Sequence, residues 1–301
     1  MNYDAFKEFC SLVGINCKIN EPMSEHTSFK IGGPADFFVL PKNKSELSAV
    51  LEKLKELSIP FFVLGKGSNL LVSDKGIEGA VICLLGMDEI EVSGNCIKAD
   101  VGATLASICV TAAKNNLSGL EFAYGIPGCV GGALYMNAGA YGGEMSQVVK
   151  SAEYITADGR TGSLELSEMY LGYRTSVFKK SDMIITSVTF ELDTGKQEEI
   201  RALMDDYLCR RRSKQPLEFP SAGSTFKRPE GHFAGALIEK NQLKGTKIGG
   251  AMVSEKHAGF IINCGNAKCE DVRKLIAHVA DTVFKSDNVI LEPEVIFVGR
   301  E

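Results

Sequence analysis

The 301-residue chain has no apolar run long enough to cross a bilayer. Its longest, "AVICLLGM" at 80–87, falls far short of the roughly 20 residues a spanning helix needs. The amino end, "MNYDAFKEFCSLVG", mixes charges into its apolar residues at helical spacing and offers neither a signal-peptide core nor a cleavage site, so a cytoplasmic protein without membrane insertion is expected. Low-complexity tracts and internal repeats are missing too, which argues against disorder and repeat architectures. Positive charge is not in excess: the net charge is -5, so no surface given over to nucleic acid is expected, although a local basic pocket for a small anion is compatible with it. Paired cysteine spacing is absent as well. The nine cysteines are odd in number and scattered, so a disulfide framework is not expected and most read as small core residues. His257, Cys264 and Cys269 can be drawn as metal ligands, but their C-x4-C spacing lacks a second matching pair and makes no zinc site.

What is present fits a globular protein of two or three domains that can share a cleft, with 45% hydrophobic and 24% charged residues. "NKSELSAVLEKLKELSIP" sets Asn43 and Glu46 at capping-box spacing and puts Leu47, Val50, Leu51 and Leu54 on one face before Pro60. That is a helix. Short apolar runs on either side, "ADFFVLP" and "FFVLG", make it the middle of a strand, helix, strand unit. Further helices are expected at 104–116, at "KQEEIRALMDDYLCRRRSKQP", which Pro216 ends, and at "CEDVRKLIAHVADTVFKSD". "SAEYITAD", "MIITSVTFEL" and "VILEPEVIFVG" read as strands, and the stretch from 215 to 301 as a compact α+β unit.

Glycine is concentrated. Eight of the 31 glycines fall within 119–143, a density that no helix or strand tolerates for long. A second glycine stretch, "LGKGSNLLV", follows a buried strand. Its backbone N–H groups suit a phosphate, yet it is neither a G-x-G-x-x-G fingerprint nor a P-loop. Two separated glycine-rich stretches can line a long phosphate-bearing cofactor; crowded domain packing is the alternative. Ser224, in "PSAGSTFKRP", is not on a nucleophile elbow, because Ala222 and Phe226 stand where that motif needs glycine.

"LGKGSNLL", "YGIPGCVGGALYMNAGAYGGE", "GYRTSVF", "PSAGSTFKRP" and "LEPEV", in this order, resemble the UDP-N-acetylenolpyruvoylglucosamine reductase family, and the resemblance runs from "TSFKIGGPADFFVLP" to the carboxyl end. Without an insertion between "GYRTSVF" and "PSAGSTF", the chain is similar to the shorter of the family's two types, which lacks an extra tyrosine-bearing loop. The resemblance implies an α+β chain with an FAD-binding fold of the vanillyl-alcohol-oxidase-like kind. Residues 1–85 and 86–195 would be its two cofactor-binding subdomains, and 196–301 a carboxyl-terminal α+β substrate domain. It implies non-covalent FAD, with Gly65, Lys66, Gly67, Ser68 and Asn69 at the pyrophosphate. Gly125, Ile126, Pro127, Gly128, Asn137, Ala138, Gly139 and Ala140 would lie along the rest. No histidine stands between His26 and His232, so the covalent histidine anchor of some related flavoproteins is not available. Cys129, inside the cradle, reads as a packing residue.

The same resemblance implies NADPH as reductant, a UDP-sugar enolpyruvyl ether as substrate, a monomer, and a place in peptidoglycan precursor synthesis, hence in cell-wall growth, cell shape and division. Ser224 would be the proton donor, Arg174 the partner of the substrate carboxylate, and Glu294 a carboxyl beside the developing enolate. Lys214, in a basic run with Arg210, Arg211 and Arg212 that by itself complements the helix dipole, would meet the diphosphate. For Tyr173, next to Arg174, packing on the substrate and a buried tyrosine are the two readings. Arg228 stands where some members carry asparagine. A flavin oxidase of the same fold, and a nucleotide-sugar binding protein that has lost its flavin, are the competing readings.

Overall fold

The computed structural model describes residues 3–301, which form two compact units. The first gathers the chain up to Lys18, Phe37–Lys66 and Gly79–Arg211; the second gathers Ile19–Asp36, Gly67–Glu78 and Arg212–Glu301.

In the first unit the expected strand, helix, strand unit is present. Asn43 caps helix Lys44–Glu56 by accepting the Glu46 N–H at 2.9 Å, and Leu47, Val50, Leu51 and Leu54 are its buried face. Strand Phe61–Leu64 follows and pairs in parallel with Ile77–Cys83, Phe61 opposite Ala80 and Leu64 opposite Cys83. Beside it an antiparallel sheet runs in the order Thr161–Glu165, Val149–Thr156, Met183–Glu191, Cys96–Asp100, Ile90–Ser93. One core joins these parts, with Phe6, Phe37, Leu47, Ile97, Val188 and Phe190 inside it.

Lys44 and Lys98 tie helix to sheet through Glu153, whose carboxyl they hold down at about 2. A carboxylate depressed on folding stabilises the protein above the usual carboxylate range, and loses that contribution as pH falls toward the folded value. Glu153→Gln is therefore expected to lower stability at pH 7 by up to about 1 kcal/mol, the range of exposed ion pairs. The difference from wild type should shrink as urea melts are repeated from pH 5 down to pH 2.

The second unit has its own core, in which Val272, Leu275, Val279 and Val283 of helix Cys269–Asp287 meet Phe29, Ile31, Leu71 and Ala251. A three-stranded antiparallel sheet, Lys247–Ile248, Ala251–Val253 and Ile261–Asn263, packs with it. Strand Leu70–Val72 pairs in parallel with Ile296–Val298, Leu71 opposite Phe297.

Two expectations are refined by the structure. The strand read over "VILEPEVIFVG" narrows to Ile296–Val298. Pro293 has no N–H for a ladder, and the segment before 295 instead runs beside 225–227 with one bridge, Phe226 to Pro293. The glycine-rich region does hold one helix, Val130–Tyr135; it lasts six residues and survives because Val130, Ala133 and Leu134 are buried. All nine cysteines are free thiols.

Candidate functional site

In the first unit, the glycine loops are shaped by close approach. A Cβ on Gly65 would stand 2.5 Å from Cys129 Sγ, and Cys129 itself is 1% exposed. Its thiol fills the space that the missing side chain leaves, which is a packing role. The segment after it is pinned by backbone bonds: Val130 N–H to Ala103 O at 2.8 Å, Gly131 N–H to Val101 O at 2.9 Å and Leu105 N–H to Gly128 O at 3.1 Å. Gly125, Ile126 and Gly128 are half-buried and Pro127 is exposed.

Residues 137–144 form a hairpin in which Gly139 and Ala140 pair with Glu144 and Gly143. Tyr141 and Gly142, both at positive φ, make the turn that the strand twist favours. Asn137 is 1% exposed and its side chain is committed to the protein: Nδ2 donates to Gly172 O at 3.1 Å and Oδ1 accepts from Ser146 N–H at 3.0 Å. Of residues 137–140, Ala138, Gly139 and Ala140 keep half-exposed surface.

Asn137 thereby supports the loop that carries Arg174. Gly172 and Thr175 bond each other's backbone at 3.1 and 3.2 Å, and between them Arg174 sits at φ 55, a left-handed backbone that a long side chain rarely adopts. Its carbonyl accepts from Lys179 Nζ, and its guanidinium lies 5.0 Å from the centre of the exposed Tyr173 ring.

Arg211 is a residue that the sequence reading passed over as one of several helix-closing cations. Its Nε is buried without a hydrogen-bond partner, and a Cβ on Gly125 would lie 3.1 Å from its Cδ. Burial pushes its guanidinium below the usual range. A half-buried guanidinium with an unpartnered Nε alongside a glycine loop suits an electron-rich or anionic cofactor. Its sequence signal was only its position in "CRRRSK".

In the second unit, Gly67 lies at φ 60, and a Cβ there would meet the His26 carbonyl oxygen at 2.2 Å. Its own carbonyl accepts Ser28 N–H at 3.2 Å. Lys66 is exposed and Ser68 half-buried. The Asn69 side chain is tied to the protein through Nδ2, which donates to Glu294 O at 3.1 Å.

Ser224 stands on an extended segment held on both sides. Thr225, 3% exposed, gives its N–H to Gly259 O at 2.8 Å, accepts Ile261 N–H at Oγ1 at 3.0 Å, and accepts Glu294 N–H at its carbonyl at 2.8 Å. Lys227 N–H bonds Glu292 O at 2.8 Å. The buried Thr225 and Phe226 anchor the segment and leave Ser224 exposed. Ser224 and Glu294 are thus brought onto neighbouring backbone, with Glu294 half-buried. Arg174 and Tyr173 belong to the first unit. Lys214, the last residue of helix Gln197–Lys214, is exposed, and Arg228 lies over the exposed Phe233 ring at 4.1 Å from its centre.

A glycine loop after a parallel strand, a second glycine-lined hairpin and the Arg211 guanidinium beside Gly125 suit a flavin dinucleotide, and the FAD binding domain family model, matching residues 35–165, makes the chain a flavin-dinucleotide protein. The model of the UDP-N-acetylenolpyruvoylglucosamine reductase carboxyl-terminal domain matches 215–298. The chain is 48% identical to the UDP-N-acetylenolpyruvoylglucosamine reductase of Clostridium perfringens, over 98% of this chain and 99% of that one. It is 51% identical to that of Syntrophomonas wolfei, over 94% and 95%. The crystal structure of the Thermus caldophilus enzyme superposes with a TM-score of 0.80 at 33% identity, covering 94% of this chain and 98% of that one. The chain belongs to the UDP-N-acetylenolpyruvoylglucosamine reductase family, and it is an FAD-dependent oxidoreductase with the FAD-binding α+β fold expected from the sequence.

Proposed function

We propose that Ser224, Glu294 and Arg174 carry the family's reaction in this chain, the NADPH-dependent reduction of UDP-N-acetylglucosamine enolpyruvate to UDP-N-acetylmuramate for peptidoglycan precursors. FAD, when bound, supplies the hydride that it takes from NADPH. Saturating the enolpyruvyl double bond leaves charge on the carbon beside the carboxylate, and the chain's own residues must spread that charge and deliver a proton. Ser224 Oγ–H gives the proton; an exposed hydroxyl on a rigid segment can be presented in line without reorganisation. Glu294 steadies the enolic charge from the adjacent segment, and Arg174 forks onto the carboxylate. Tyr173 packs on the substrate, with Lys214 and Arg228 at the nucleotide diphosphate.

For the cofactor, the residues present fit: Gly65 and Gly67 admit no Cβ, and the half-buried Arg211 keeps its Nε without a partner. Gly65, Lys66, Gly67 and Ser68 would cradle the pyrophosphate through backbone, and 125–128 with 138–140 the remainder. Residues 1–85 and 86–195 would form the cofactor-binding parts and 196–301 the substrate-binding part, a division along the sequence that differs from the two compact units, since Ile19–Asp36 and Gly67–Glu78 gather with the chain beyond Arg212 and 196–211 with the first unit. No helix among the described residues is long and apolar enough to cross a membrane. A cytoplasmic monomer, in which NADPH and substrate take turns at one pocket, fits this reading.

The observation that carries the assignment is the 2.8 Å bond from Glu294 N–H to the carbonyl of Thr225, which ties the Glu294 segment to the residue next to Ser224 in a chain of this family. The test is a visible spectrum of the purified protein, before and after anaerobic NADPH and then the enolpyruvyl UDP-sugar. Flavin absorption should bleach with NADPH and recover with the sugar. Bleaching without recovery would favour an oxidase, and a protein colourless even with added FAD would favour a binding protein. Saturating substrate should also compete with NADPH; failure to do so removes the shared pocket.

Arg211→Met keeps the apolar stem and removes the cation. It is expected to weaken FAD binding about tenfold, read by flavin fluorescence. The apoprotein should melt no lower than wild type, because a buried Nε without a partner has been removed. Unchanged FAD affinity would take Arg211 out of the cradle.

A further inference from the structure

The side chain of Asn69 reaches out of the glycine loop to the segment that carries Glu294. Nδ2 donates to the Glu294 carbonyl at 3.1 Å, while the Asn69 carbonyl accepts Ile296 N–H at 2.9 Å. One residue therefore brackets positions 294 to 296 with both a donor and an acceptor. On the other side, the N–H of Glu294 is held by the carbonyl of Thr225, the neighbour of Ser224. The backbone N–H and C=O of Glu294 are thus both fixed. Asn69 is itself firmly placed: Gly67, two residues earlier, is wedged against His26, and Leu71 and Val72 after it are fully buried.

We propose that Asn69 is a positioning residue for the proton-transfer half of the reaction. It sets the Glu294 segment in register with Ser224, and it passes the ordering of the glycine loop to that segment. This rests on the roles given to Ser224 and Glu294 above. An amide suits the task because the partner is a carbonyl: aspartate has the same shape but would set oxygen against oxygen. A residue that instead served the cofactor would show its loss in FAD affinity.

The test compares wild type, Asn69→Ala and Asn69→Asp by three measurements. The first is FAD affinity of the apoprotein. The second is amide hydrogen exchange over 291–298 in the apoprotein. The third is the rate at which the enolpyruvyl UDP-sugar reoxidises the NADPH-reduced, flavin-saturated protein. Exchange over 291–298 should quicken in both variants without FAD present. Reoxidation should fall roughly ten- to a hundredfold, with Asn69→Asp at least as slow as Asn69→Ala, while the substrate KM stays within about threefold. Asn69→Asp, matched in size, covers the case in which the alanine variant does not fold. Wild-type reoxidation in both variants, or a loss confined to FAD affinity, would overturn this proposal alone. A wild-type protein that the sugar cannot reoxidise would overturn it together with the reading of Ser224 and Glu294.

Discussion

Ser224→Ala should leave bleaching of the flavin absorption by NADPH at the wild-type rate and slow its recovery with the enolpyruvyl UDP-sugar by roughly 10²- to 10⁴-fold, the range of a lost general acid. The asymmetry is the informative part, because only the second half-reaction consumes a proton at carbon. Ser224 is exposed and its segment is anchored by the buried Thr225 and Phe226, so the missing hydroxyl should change stability by no more than about 0.5 kcal/mol. Anaerobic stopped-flow on each half-reaction measures both rates, and a matching loss in the two halves would remove Ser224 as the donor.

Gly67→Ala should yield a folded protein that purifies with less than about a tenth of its flavin. The left-handed backbone alone costs alanine about 1–2 kcal/mol. In addition the new methyl would stand 2.2 Å from the His26 carbonyl oxygen, so the loop must move. Gly94→Ala is the matched control. Gly94 has the same φ of 60 but nothing within 4 Å of its Cβ, so it should carry the conformational cost and keep its flavin. The ratio of flavin absorbance to protein in the two variants decides the matter; equal ratios would mean that the Gly67 turn does not shape the cradle.

The helices were legible because their signals are local. Asn43 and Glu46 marked where helix Lys44–Glu56 begins, and the spacing of Leu47, Val50, Leu51 and Leu54 marked its buried face. The glycine stretches and the "PSAGSTFKRP" and "LEPEV" motifs were legible as words. Their grammar was not. Nothing local to Asn69 says that its amide serves Glu294, and nothing local to Asn137 says that it props the Arg174 loop, because each bond joins residues far apart in the chain. Arg211 was hidden among three consecutive arginines; only burial separates it from its exposed neighbours Arg210 and Arg212. The recruitment of Ile19–Asp36 and Gly67–Glu78 into the second unit escaped for the same reason. Composition changes little along those segments, and the parallel pairing that holds Leu70–Val72 is non-local.

That pairing also governs how the protein can be made. Leu70–Val72 leaves the ribosome long before its partner Ile296–Val298 has been made. Phe29, Ile31 and Leu71 likewise belong to a core whose other walls come from the chain beyond Arg212. Until that later stretch is made these apolar side chains have no core to enter, whereas much of the first unit can already collapse. The newborn chain must therefore carry an unfinished second unit, with its apolar side chains uncovered, until residues 296–298 have been made.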